Sequence, residues 1–197
     1  YYGVPLTRIR ALARGLAPNH DLAIGLWDTG IHDARLLATW VEEPSRADDA
    51  QLDRWVETSD YRDLSDRVCQ NVVVATPLAR AKVADWRDHP QELVRRSAYV
   101  LLAELARRDR RMTDADFVPH VDAIQSLIHR ETHWVRDAMY RALLRIGTRN
   151  RALNARALAG VLRIGALRYE PGPGRRPWPD VRARLEALRA SRAFVLR

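Results

Sequence analysis

The chain has 197 residues, of which 47% are hydrophobic and 29% charged, with a net charge of +8. That length supports one core or one continuous stack of helix pairs, and the apolar content excludes wholesale disorder. No apolar run approaches the roughly 18 residues of a membrane span, so no membrane partner is expected, and the single cysteine, Cys69, excludes an internal disulfide framework.

In chain order the hydrophobic spacing is helical nearly throughout. The chain opens on Tyr1-Tyr2 rather than Met, which reads as a fragment lacking its natural N-terminus. Pro5 suits a first helical turn, and Leu6, Ile9, Leu12 and Leu16 share a face. Gly15 and Gly30 fall where helices would end. Further helices are predicted at 19–29, 31–41, 48–57, 60–75, 77–86, 91–107, 114–129, 133–147, 150–167 and 179–192. Thr76 before Pro77 suits an N-cap and first helical position, and Thr113 with Asp116 a capping box. PGPGRRPWP (171–179) is the one irregular stretch, a basic loop before the last helix. It reads first as a connection and second as a binding loop. Sustained alternation of period two is absent, so strands are not expected.

An internal echo sets the architecture. LVRRSAYVLLAEL (93–105) aligns with WVRDAMYRALLRI (134–146) at an offset of 41 residues, pairing Val94 with Val135, Arg95 with Arg136, Tyr99 with Tyr140 and Leu102 with Leu143. A period near 40 belongs to HEAT-type repeats, whose helix pairs bury their apolar faces by stacking into a curved solenoid with a concave surface. The predicted class is therefore all-α: a single HEAT-like helical-repeat domain over residues 1–197. A monomer is the default for such a stack.

The positive balance favours a polyanionic partner. Of 33 basic residues only Lys82 is a lysine, a bias that codon usage in a GC-rich genome would also produce. Glycine-rich phosphate loops, nucleophile elbows and clustered zinc ligands are missing. His129 and His133 straddle a helix boundary and are not expected to hold a metal, and no cofactor is predicted. Trp27, Trp40, Trp55, Trp86 and Trp134 read as core. Asp33 and Arg35 read as members of inter-helix salt bridges. In SDYRDLSDRVCQN (59–71), Arg62, Asp63 and Asp66 are helical neighbours. The plain reading is a solvated face with an Arg62–Asp66 ion pair.

Four stretches carry a family resemblance: YYGVPLTRIRALAR (1–14), LAIGLWDTGIHDARLLATWVEEP (22–44), LVRRSAYVLLAELA (93–106) and LLRIGTRNRALNARAL (143–158). They resemble the DNA alkylation repair family, the AlkD-like helical-repeat DNA glycosylases. LWDTGIHDARLLA is the most specific piece, placing Trp27, Gly30, His32, Asp33 and Arg35 on a near-signature run. RIGTRN resembles the family's IGKRN, and Trp178 with RARLEAL its closing helix. Family members carry further N-terminal helices before the tyrosine-glycine-valine segment.

The resemblance implies excision of N3- or N7-alkylated purines from duplex DNA held in a basic concave groove, in a cytoplasmic protein associated with the bacterial nucleoid. It implies no metal and no cofactor. The family's Trp-Asp-x-x-Asp motif falls on Arg62-Asp63-Leu64-Ser65-Asp66. Asp66 then matches the catalytic carboxylate, and Arg62, Tyr61 and Asp63 become lesion-adjacent. Arg62 stands where the family has tryptophan, one turn from Asp66, where pairing would spend the carboxylate's charge. On an ideal helix Tyr61 points about 100° away. Leu93 and the Arg141-Ala142-Leu143-Leu144 segment also depart from the family's tryptophans. Arg95, Arg96, Arg136, Arg141 and Arg149 are the expected DNA-contacting cations. Two alternatives stand beside excision: a catalytically inactive DNA-binding paralogue, and a helical-repeat scaffold for protein partners.

Overall fold

A computed structural model describes residues 3–166 and 180–191. Among these residues every regular element is helical: α1 (Leu6–Ala13), α2 (His20–Asp28), α3 (His32–Val41), α4 (Asp49–Glu57), α5 (Arg62–Arg67), α6 (Ala79–Arg87), α7 (Glu92–Arg108), α8 (Asp114–Leu127), α9 (His133–Gly147), α10 (Arg151–Ile164) and α11 (Val181–Ala190). The chain separates into two compact units, Tyr1–Leu101 and Leu102–Arg197, divided within α7. The 171–179 stretch, and Trp178 within it, lie outside the described residues.

Local chemistry accounts for most helix starts. The side chains of Asn19, Asp48, Asn150 and Asp180 accept from the amides of Leu22, Gln51, Leu153 and Ala183, opening α2, α4, α10 and α11. Each such cap stabilises its helix by about 1 kcal/mol. Asp116 accepts from both the backbone N–H and the hydroxyl of Thr113 at the start of α8. Gly30, at φ 70°, supplies the left-handed turn between α2 and α3. One start is displaced: α6 begins at Ala79 because Thr76 turns its hydroxyl back onto the Val73 carbonyl. The expected 60–75 helix is also subdivided, into α5, a π-helical turn (Val68–Val72) and a 3₁₀ turn (Val73–Ala75).

The first unit is centred on Trp27 stacked on Trp55, with ring centroids 4.3 Å apart. Leu36, Val41, Leu52, Leu64, Val68 and Val94 are buried in the same unit. Trp86 is buried too, its indole N–H on the Asp53 carboxylate, while Trp40 and Trp134 are only half-buried. Lys82 is sunk into the unit between Asp49 and Asp53, at 2.8 and 2.7 Å. Arg35 does not reach a carboxylate. Its Nε donates to the Trp27 carbonyl and its Nη1 to the Thr58 carbonyl, and the guanidinium lies over the Trp27 ring. His32 pairs with Asp60 at 3.0 Å, and Asp33 accepts from the Val4 amide. The LWDTGIHDARLLA run is therefore a clamp that ties α2 and α3 to residues 58–60, the approach to α5.

In the second unit α10 packs against α8, α9 and α11. The RIGTRN run explains itself here. A Cβ on Gly147 would come within 2.4 Å of Leu185 Cδ2, so only glycine lets α11 approach this closely. Asn154 donates to the carbonyls of both Gly147 and Leu185. His129 donates to the Ile164 carbonyl at the end of α10.

The 41-residue echo survives at the level of function within the fold. Val94 and Val135 are fully buried. Arg95 donates to the carbonyls of His89 and Pro90, and Arg136 to those of Ile128 and His129. Each arginine satisfies carbonyl groups left over where the chain turns into its helix.

Candidate functional site

Asp66 sits near the end of the six-residue helix α5, directly before the π-helical turn. Leu64, Val68, Cys69, Val72 and Val73 fill the interior along this segment, each with no exposed surface. The π turn adds a residue to the helical ring, a distortion that recurs at functional positions. It is pinned on two sides. The Cys69 thiol contacts the Ser97 carbonyl of α7, and Asn71 donates to the Thr39 hydroxyl of α3. Beside it, Arg67 donates to Gln70 and lies over the half-buried Trp40 ring.

The expected Arg62–Asp66 pair does not form. Asp66 is instead gripped from α7 by Arg96, with Nε on Oδ1 and Nη2 on Oδ2, both at 2.8 Å. Two parallel charge-assisted bonds of this kind fix a carboxylate in orientation as well as in place. The Arg96 side chain is 3% exposed and that of Asp66 is 21% exposed. The cation is thus buried under the carboxylate while the carboxylate still meets solvent.

Arg62 goes elsewhere. Its guanidinium lies 5.7 Å from the centroid of the Tyr61 ring, and among the described residues it makes no ion pair. Tyr61 is not part of the helix. Its backbone is extended (φ −153°, ψ 152°), so the 100° helical offset expected for its side chain does not apply. At 42% exposure it is the most exposed aromatic among the described residues. Asp63 is half-buried, on the first turn of α5.

The five arginines expected on phosphates are all engaged by their own chain. Arg96 is spent on Asp66, and Arg95 and Arg136 on carbonyl groups. Arg149 donates to the carbonyls of Ala106, Asp109 and Met112 and lies over the Phe117 ring. Arg141 pairs with Asp137 one turn away, yet its side chain remains 56% exposed. Of the five it is the most accessible to a partner. A buried arginine with a full set of acceptors is a brace; reaching a phosphate would first break two or three hydrogen bonds. Sequence spacing missed this because the acceptors are carbonyl oxygens, which every residue carries.

Comparison with known proteins places this geometry. The sequence model of a family described as DNA alkylation repair enzyme matches residues 1–163. No curated protein sequence matches. A solved structure superposes with a TM-score of 0.83 at 18% sequence identity, covering 94% of this chain and 80% of its own. It comes from a family of proteins related to the HEAT-like repeat DNA glycosylases with affinity for branched DNA structures. The all-helical, HEAT-like fold predicted from the repeat is thereby established.

Proposed function

The chain belongs to the DNA alkylation repair enzyme family, and from that premise we propose that it is a DNA glycosylase that releases N3- and N7-alkylated purines from duplex DNA. The observation that carries this reading is the Asp66 carboxylate, held bidentately by a buried arginine and still partly open to solvent.

The chemistry needs little more. A purine alkylated at N3 or N7 is cationic, so its glycosidic bond is weakened and the base leaves neutral without general-acid help. Positive charge then develops on the sugar. A carboxylate fixed in advance near that charge stabilises the transition state without reorganising during the reaction. Arg96 supplies the fixing, and the pinned π turn supplies the rigidity. Arg96 also offsets part of the negative charge, so excision rests on Asp66 being nearer the sugar than Arg96 is. Phosphate contacts fall to exposed cations such as Arg141, and to Arg62.

A second reading has its own support. Arg62 stands where the family places a tryptophan, and a guanidinium repels a cationic base. A member that binds distorted or branched DNA without excising a base would keep the fold and lose the lesion-stacking aromatic. Free-base chromatography after incubation with methylated duplex separates the readings. Release of N3-methyladenine or N7-methylguanine supports excision. Salt-sensitive DNA binding with no release replaces it with the second reading. No duplex binding at low salt leaves a protein-binding scaffold.

A further inference from the structure

Tyr61 and Arg62 are the part of the candidate site that the carboxylate chemistry leaves unused. The Tyr61 ring is 42% exposed, although the other large aromatics of this unit are buried or half-buried. It occupies the N-cap of α5, five residues before Asp66, on extended backbone. The approach to it is rigid. Arg35 and Trp27 bind Thr58, the Ser59 hydroxyl donates to the Trp55 carbonyl, and His32 binds Asp60. A large aromatic surface held in water on a braced backbone is costly to keep without a partner. Arg62 lies against the ring at 5.7 Å and has no ion pair among the described residues, so its charge is uncompensated.

We infer that Tyr61 and Arg62 form a stacking site for a neutral, unpaired nucleobase, with Arg62 free to meet an adjacent phosphate. This rests on the reading that the Asp66 face meets DNA. An aromatic face takes any base by stacking, which gives affinity without sequence preference. The charge on Arg62 sets the class of base. A cation within 6 Å of the ring favours an uncharged purine or pyrimidine and opposes a cationic one. In a lesion complex the partner of Tyr61 is accordingly the base orphaned opposite or beside the lesion, and the alkylated base itself lies towards Asp66. In DNA with no lesion the same site takes a base exposed by a bulge or branch point.

The test uses the full chain and a duplex carrying one bulged 2-aminopurine, a neutral purine whose fluorescence is quenched by stacking, against the fully paired duplex. Wild type is expected to quench the probe and to bind the bulged duplex more tightly. Tyr61→Ala is expected to lose roughly 5- to 100-fold of affinity for the bulge, the range for one aromatic stack, with paired-duplex affinity unchanged. Tyr61→Phe retains quenching. In an Asp66→Asn background, which holds the base in place, bulged guanine is expected to outbind bulged N7-methylguanine, and adding Arg62→Gln removes the difference. Equal binding of bulged and paired duplex by wild type, or equal weakening of both by Tyr61→Ala, overturns the stacking site. Equal binding of guanine and N7-methylguanine overturns the charge selection. Absence of binding to any duplex defeats the DNA reading itself, whereas duplex binding without discrimination defeats this inference alone. Both results are independent of whether wild type releases methylated bases.

Discussion

Replacing Arg96 by methionine keeps most of the side chain's volume and removes the two 2.8 Å bonds that hold Asp66. Stranding one member of a fully buried pair costs about 3–5 kcal/mol. The residual 21% exposure of Asp66 lets water recover part of this, so the expected cost is about 2–3 kcal/mol. Asp66→Asn keeps one acceptor for Arg96 and should cost less, about 1–2 kcal/mol. The double variant should be less destabilised than the sum of the two, with a coupling of about 1.5–3 kcal/mol. Urea unfolding followed by circular dichroism and by tryptophan fluorescence reads all four proteins. A cost of about 2–3 kcal/mol moves the midpoint by roughly 1 M for a chain of this size. Coincidence of the two probes checks that both compact units melt together. A coupling below about 0.5 kcal/mol would refute the claim that Arg96 is what holds Asp66 in place.

Arg95→Ala and Arg136→Ala should each lower stability by about 1–3 kcal/mol, through carbonyl groups left unsatisfied. The slope of log affinity against log salt for duplex DNA should barely change in either, whereas a lost phosphate contact would reduce it by about 0.9; melting curves and binding titrations at several salt concentrations decide. Gly147→Ala drives a Cβ against Leu185 and should cost about 1–3 kcal/mol, read as earlier proteolytic cleavage around α11. Lys82 gives a pH test. Burial pulls its ammonium down, but hydrogen bonds to Asp49 and Asp53 more than compensate and hold it above the usual lysine value of 10.5. A raised folded pKa means the ammonium's contribution is complete below about pH 10 and fades as pH rises through the folded value. The stability gap between wild type and Lys82→Met should therefore shrink above that pH, and a gap constant to pH 11.5 would contradict the pairing.

Much of the fold was legible because its determinants are local or periodic. The Val94/Val135 echo marked two buried positions at the same place in successive second helices, and the paired arginines one residue on perform the same bracing. Asn19, Asp48 and Asn150 are cap residues whose partners lie three residues away, within reach of any sequence reading. Trp27, Trp55 and Trp86 were read correctly as interior. The site was less legible for a physical reason. Spacing along one helix can pair Arg62 with Asp66, but it cannot weigh that contact against Arg96, 30 residues away on another helix. The π turn after Asp66 leaves no sequence trace beyond an apolar run that an α-helix would satisfy equally. The bracing arginines looked like phosphate ligands because charge is visible in a sequence and a carbonyl acceptor is not. Tyr61 was misjudged by assuming the helix began before it.

The most direct test of the account is the single-turnover rate of N7-methylguanine release from methylated duplex DNA by wild type and Asp66→Asn, both confirmed folded by their melting curves. The account predicts measurable release by wild type and a rate at least about 100-fold lower in the variant, the cost of losing one preorganised electrostatic contact to the transition state. Equal rates in the two proteins would contradict it.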